Sequence, residues 1–329
     1  MRTYAFYKQL FFMASLIFIS LQAIANQEQQ ADQSINQLYH RLQTMPTSDM
    51  STRITDISKQ LLGKPYLLGA LGEGIDGQYD QYPLYRTDAF DCETFVDTVL
   101  ALALASDKSG FDQCIRQIRY RDGQVTFTNR NHFASLDWNK NNQRQGFVKD
   151  ITEKFVNEKN QPVAKMATAL INKPAWYQHF DENRIRVDGI SEAEKIKRLE
   201  KLKIGGSKLK SVSSSIPYIP LTALFDKAGK ANEYLFKQIP NAAIIEIVRP
   251  NWELSKQIGT NLNVSHLGFA IWSNGTLMFR EASSTEGQTI DVPLIDYLHN
   301  ALKSPTIKGI NVQIVVPGKP LSSGCKIES

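Results

Sequence analysis

Residues 91–105 read DCETFVDTVLALALA, a run that is apolar almost all the way round once its first turn is passed. Such a run forms a helix buried on every side, and Asp91 is its natural N-cap. Cys92 then falls in the first turn, where unpaired backbone N–H groups and the helix dipole favour a negative sulfur. A thiol needs that help, because at its ordinary pKa of ~8.5 only a few per cent is ionised at neutral pH. The same N–H groups can receive the oxyanion that forms when an acyl carbon is attacked. The plain alternative is a small apolar residue packed under a helix start.

A base for Cys92 must come from elsewhere, and the five histidines stand at 40, 132, 179, 266 and 299. The last third of the chain reads as antiparallel sheet: AIIEIV at 243–248, VSHLGFAIW at 264–272 and TLMFREA at 276–282. Asn274-Gly275 supplies a favoured two-residue hairpin turn between the last two. A buried helix followed at long range by antiparallel strands is an α+β pattern. Alternation puts Ser265, Leu267, Phe269 and Ile271 on the core side and His266 on the other face. There Gly268 and Ala270 leave room for a helix end to approach. With a two-residue turn, His266 lies opposite Ser283 and Gly268 opposite Glu281, all on one face. A carboxylate orients an imidazole more strongly than a hydroxyl, so Glu281 is the expected partner and Ser283 its substitute. Arg130, Asn131, His132 and Trp138 form a second polar and aromatic group able to contact sugar or peptide, with His132 as the reserve base.

Around these segments the chain offers punctuation. Residues 1–25 join Arg2 and Lys8 to an apolar run and an Ala23-Ile24-Ala25 cleavage site, the pattern of a signal peptide. No further segment is apolar and long enough to span a bilayer, so no stable membrane insertion is expected after its removal. Residues 34–62 read as helical with a break at Met45-Pro46, and 69–90 as loop. Within that loop Gly72, Gly74 and Gly77 match G-x-G-x-x-G, but the following Gln78-Tyr79-Asp80-Gln81-Tyr82-Pro83 cannot open the helix that dinucleotide binding requires. Residues 116–128 read as a hairpin turning at Asp122-Gly123. Residues 26–329 then form a single elaborated domain, with a largely helical insertion at about 139–215 that includes a capped helix from Ser191.

Losing Arg2 and Lys8 from 38 basic residues leaves 36 against 33 acidic ones, a net of +3. That excess is too small and scattered for nucleic-acid binding. Three cysteines, at 92, 114 and 325, exclude a disulfide framework and match no zinc spacing, and no H-E-x-x-H occurs, so neither metal nor cofactor is expected. At least one thiol is unpaired within the chain; Cys114 and Cys325 are free to pair or lie idle.

FDCETFVDTVLALAL, SHLGFAIW and FREASS together resemble the NlpC-type cell-wall cysteine hydrolases, in particular their N-acetylmuramoyl-L-alanine amidase-like branch. The similarity extends to GKPYLLGALGEG before the cysteine and RNHFASLDW after it. It implies a papain-like core in which the helix bearing Cys92 packs on the sheet bearing His266. It also implies that Tyr66 faces the site to hold substrate or oxyanion, and that peptidoglycan or muropeptide is the substrate; the signal-peptide pattern fits a periplasmic or secreted setting. Glu93-Thr94 stands where the better-known endopeptidases have Ser-Gly, and Glu281 where His is common. The expected activity is a cysteine-dependent amidase cleaving the N-acetylmuramoyl-L-alanine bond through an acyl-enzyme, with Cys92, His266 and Glu281 catalytic and Tyr66, Asp91, Arg130, His132 and Trp138 against the substrate. The alternatives are a stem-peptide endopeptidase using the same pair, and a peptidoglycan-binding protein without turnover.

Overall fold

The computed structural model describes residues 27–43, 49–322 and 324–325. The segment read as a signal peptide and the Met45-Pro46 break lie outside the described residues. In chain order the helices are α1 (27–43), α2 (Met50–Gln60), α3 (Cys92–Leu104), α4 (Lys108–Arg119), α5 (Asn139–Arg144), α6 (Lys173–Gln178), α7 (Glu192–Ser207), α8 (Leu221–Leu224), α9 (Glu233–Lys237), α10 (Ser255–Ile258) and α11 (Leu294–Ala301). The strands are β1 (Val148–Asp150), β2 (Lys165–Asn172), β3 (Ser211–Pro220), β4 (Ala243–Trp252), β5 (Leu262–Ser273), β6 (Thr276–Ser283), β7 (Gln288–Pro293) and β8 (Gly309–Val315). They form one mixed-connection sheet in the order β2-β3-β8-β4-β5-β6-β7, with β1 also on β8, and each of these pairings is antiparallel. The architecture is α+β.

Both faces of the sheet are covered, as period-two alternation in a central strand demands. Leu267, Phe269 and Ile271 of β5 join Ile244 in a core with α1 to α4, while Ala270, Ile245, Ile247 and Phe279 join a second core with α8, α9 and α11. α3 lies within the first core and is buried from Thr94 to Leu104. Its start is fixed by a capping box, in which Asp91 Oδ1 accepts from the Thr94 N–H (2.8 Å) and Thr94 Oγ1 accepts from the Asp91 N–H (2.9 Å). Its last carbonyls would be orphaned in an apolar setting, and the buried Arg53 of α2 donates to those of Leu102, Ala103 and Ala105. Phe95 packs edge-on against Phe90 (5.8 Å) and Phe269 (6.1 Å), which seats the first turn of α3 over β5.

Asn274 and Gly275 have φ of 48° and 79°, the left-handed pair a two-residue turn needs, and the register runs from Ser273↔Thr276 to Phe269↔Arg280 as that turn sets it. Two expectations are corrected. Residues 116–128 are not a hairpin: α4 runs to Arg119, and although Asp122 and Gly123 do turn with positive φ, only the isolated bridge Tyr120↔Arg130 follows. The segment 139–215 is not largely helical either, because β2 and β3 pair over eight residues on either side of α6 and α7. The loop 69–90 carries no helix after its glycines. A Cβ on Gly72 would meet Asp80 Oδ1 at 2.5 Å and the Tyr82 carbonyl at 2.6 Å, so that glycine serves a tight fold-back of the loop.

Candidate active site

Cys92 is the first residue of α3, half-buried, and the one unpaired cysteine among the described residues; Cys114 and Cys325 form a disulfide. The backbone groups of Leu267 and of Glu93 act on its sulfur electrostatically. Those contacts favour the thiolate, yet burial, then Asp91, then Glu93 outweigh them and push the thiol up. The helix end, which favours a negative sulfur, is thus opposed by burial and by Asp91 and Glu93 beside it. Glu93 is itself pushed well up by burial and by Asp97 and Asp91. Asp97, deeper in α3, is raised to about 7 by burial, against the opposing pull of Arg119 and a hydrogen bond from Trp138 Nε1 (2.6 Å).

His266 precedes Leu267 on β5, the strand over which Phe95 seats the first turn of α3. A bulge at this point, between the pairs Ile247↔His266 and Val248↔Val264, leaves Ser265 without a register partner. His266 Nε2 is in close contact with Glu281 Oε2, and Glu281 is buried. Ser283 is also buried, but its hydroxyl accepts from the Glu286 N–H (3.4 Å). The imidazole meets Phe279 edge-on (5.7 Å) and lies nearly parallel to Tyr297 of α11 (6.3 Å, 21°). The space beside Gly268, expected to admit a helix end, is filled by Phe279: a Cβ there would come within 2.7 Å of its ring.

Tyr66 lies near the sulfur. It bridges to Phe90 just ahead of Asp91, and burial together with Cys92 and Asp91 pushes its hydroxyl up to about 12, so it stays a hydrogen-bond donor at ordinary pH. Asp91 is the N-cap that the sequence suggests. Its Oδ1 caps α3 and its Oδ2 accepts from the Gly69 N–H (2.9 Å), which makes it a fastener between loop and helix rather than a side chain presented to a ligand.

The group at 130–138 is likewise occupied. Arg130 is ion-paired with Glu73 and with Asp80 (3.0 Å). Trp138 is buried on Asp97 and is a core residue. His132 bonds the Phe127 carbonyl (2.8 Å) between the rings of Phe127 and Trp176, where burial and Arg130 hold it well below its usual pKa. Three neighbours of the site escaped the sequence reading: the Leu267 backbone, Tyr297 and Arg249. No local pattern marks them, because it is the docking of α11 and the bulge in β4–β5 pairing that bring them in. Among the described residues no cluster of three or more His, Cys, Asp or Glu side chains is placed to hold a metal, and no helix is long and apolar enough to cross a membrane.

The AmiA-like family model, described as N-acetylmuramoyl-L-alanine amidase-like, matches residues 56–307. A crystal structure of a Legionella pneumophila protein of the DUF1460 family model is similar over 92% of this chain and 99% of that one, with 53% identity and a TM-score of 0.89. Crystal structures of an N-acetylmuramoyl-L-alanine amidase from Bacteroides uniformis share the fold at lower similarity. One covers 82% of this chain and 99% of that one at 23% identity and a TM-score of 0.55; another covers 81% and 98% at 25% and 0.53. No curated protein sequence matches the chain.

Proposed function

This chain belongs to the AmiA-like, N-acetylmuramoyl-L-alanine amidase-like family, and from that premise we propose that it is a cysteine amidase of the papain-like, NlpC-type class, cleaving the bond between the lactyl group of N-acetylmuramic acid and L-alanine. What supports the reading is that Cys92 opens the helix seated over β5, the strand that carries His266, and that Glu281 lies behind the imidazole. With Nε2–H donated to Glu281, Nδ1 is the nitrogen left to exchange a proton with the thiol. Because the thiol is protonated at rest, its proton passes to His266 as the sulfur attacks the lactyl carbonyl carbon. The carbonyl oxygen becomes an oxyanion against the first N–H groups of α3 and the Tyr66 hydroxyl. Collapse breaks the C–N bond, and the His266 proton leaves with the L-alanine amine. Water, deprotonated by His266, then cleaves the thioester and returns the muramic acid carboxylate and the thiol.

Two further observations support an exported enzyme acting on the cell wall, periplasmic or secreted. The Cys114–Cys325 disulfide needs an oxidising compartment to persist, and residues 1–25 have the composition of a signal peptide. The test is incubation of wild type and Cys92→Ala with purified muropeptides under mild reductant, with products identified by mass spectrometry. Release of stem peptide beginning with L-alanine, by wild type alone, is the expected result. Release by Cys92→Ala would sink the mechanism, cleavage within the stem would move the activity to an endopeptidase, and binding without products would leave a peptidoglycan-binding protein.

A further inference from the structure

Arg249 stands apart from the other arginines withdrawn from solvent. Arg86, Arg119, Arg130, Arg186 and Arg280 each face a carboxylate, and Arg53 is spent on helix-end carbonyls. Arg249, half-buried on β4, has no carboxylate partner among the described residues. Its Nε donates to Ser265 Oγ (3.0 Å), its Nη1 donates to Thr306 Oγ1 (2.9 Å), and its guanidinium lies 4.3 Å above the centre of the Trp252 ring. The fork is thus held in one orientation by two neutral hydroxyls and a ring, while among the described residues Nη2 has no partner. Among the described residues the titratable group that bears on it is Tyr297, a neutral phenol. A partly desolvated cation that is oriented but not neutralised has an open valence for a planar anion.

Its place in the fold says which anion. Ser265, which holds Nε, is the bulged residue beside His266, and Tyr297, which faces Arg249, is the ring lying along the His266 imidazole. We propose that Arg249 is a specificity residue that binds a carboxylate of the peptide leaving group, carried by the residue that follows L-alanine. That carboxylate lies about 7 Å of extended chain from the scissile amide, and Arg249 is linked to His266 through Ser265, its neighbour in sequence, and through Tyr297, its neighbour in space. This inference rests on the amidase reading for the identity of the peptide, and not for the existence of the anion site.

The experiment uses two N-acetylmuramoyl tripeptides that differ only in whether the α-carboxyl of the D-glutamyl residue is free or amidated, and the corresponding free tripeptides, in which the γ-carboxyl of that residue is tied to the third residue. Wild type is expected to favour the free acid by about 10–100-fold in kcat/KM, chiefly through KM, and Arg249→Gln to reduce that ratio to within about threefold. In Cys92→Ala protein, the free peptide is expected to quench Trp252 fluorescence more tightly than its amide, and the added Arg249→Gln change to abolish the difference. Equal binding of acid and amide by Cys92→Ala overturns the proposal, as does a preference that survives Arg249→Gln. Should Arg249→Gln not fold, the acid-against-amide comparison in Cys92→Ala still decides. Absence of hydrolysis by wild type would count against the amidase reading alone, because the binding arm needs no turnover.

Discussion

At Cys92 two local influences oppose each other. The dipole at a helix start and a backbone hydrogen bond are each worth roughly 1 kcal/mol toward the thiolate. Burial with Asp91 and Glu93 beside the sulfur acts the other way and prevails. The resting thiol is then kept from oxidation and stray alkylation, and the group that removes its proton becomes the controlling element. That gives Glu281 its importance, since it is the contact that fixes which imidazole nitrogen carries hydrogen. Glu281→Gln keeps the shape but can present its NH2 to Nε2 and so favour the wrong tautomer. It should lower kcat by about 10²-fold or more with KM little changed. Ser283→Ala, which removes only a hydroxyl engaged with the Glu286 N–H, should change kcat by less than about threefold. Steady-state kinetics on one muropeptide checks both, and a larger loss from Ser283→Ala would reassign the orienting role.

Among the elements, α3 and the β5–β6 hairpin were legible in the sequence because each is specified by its own residues. A capped apolar run can only be a buried helix, and Asn274-Gly275 fixes the register in which Glu281 comes to share a face with His266. The failures share a cause. Asp122-Gly123 shows the same turn chemistry, but whether strands or a helix flank such a turn is settled by packing, and Phe111, Ile115 and Ile118 bury α4 against α3. β3 opens on SVSSSIP, whose serines face outward or bond buried neighbours, so it lacks the apolar alternation of a strand. β4 was legible as a strand, yet its buried Glu246 has a consequence that only the register exposes. Glu246 lies opposite Asn311 of β8 and accepts from Asn139 Nδ2 (3.0 Å), while its Oε1 and Asn311 Oδ1 are buried without partners. Burial raises its carboxyl from 4.5 to about 8, so the folded state holds a proton that the unfolded chain releases. The sign follows: this contribution is fully present below pH ~4.5, declines as pH rises, and is lost above about 8. Glu246→Gln, neutral at every pH and able to donate to Asn311 Oδ1, should flatten this decline. It should raise stability near pH 8 by on the order of 3 kcal/mol, read from urea unfolding at pH 5 and pH 8. An equal pH dependence in variant and wild type would mean that Glu246 is ionised in the fold.

Across the whole molecule, the insertion at about 139–215 reaches back to the site. Arg186, in the stretch between α6 and α7, pairs with the buried Asp80, donates to the carbonyls of Gly69 (2.6 Å) and Leu71 (3.3 Å), and lies 3.8 Å over the Tyr82 ring. Gly69 in turn gives its N–H to Asp91, the cap of the helix that begins with Cys92. A chain of direct contacts therefore leads from the insertion to the nucleophile. The Cys114–Cys325 disulfide ties down the opposite end of the same helical layer, with Leu321 N–H on the Leu104 carbonyl at the end of α3. α3 is thus restrained at its first turn by the insertion and at its last by the C-terminal tail. Arg186→Ala removes the first restraint and leaves Asp80 to Arg130 alone, which should cost about 2–4 kcal/mol because one member of a buried ionic network is deleted. It should also speed amide hydrogen exchange across residues 69–86, raise the rate at which iodoacetamide alkylates Cys92, and lower kcat/KM by about tenfold as the cap loosens. The disulfide-side amides of α4 should be unaffected. If exchange in 69–86 is unchanged while stability falls, the insertion supports the fold without positioning the nucleophile; if exchange and alkylation rise together, its role is to hold the first turn of α3 against β5.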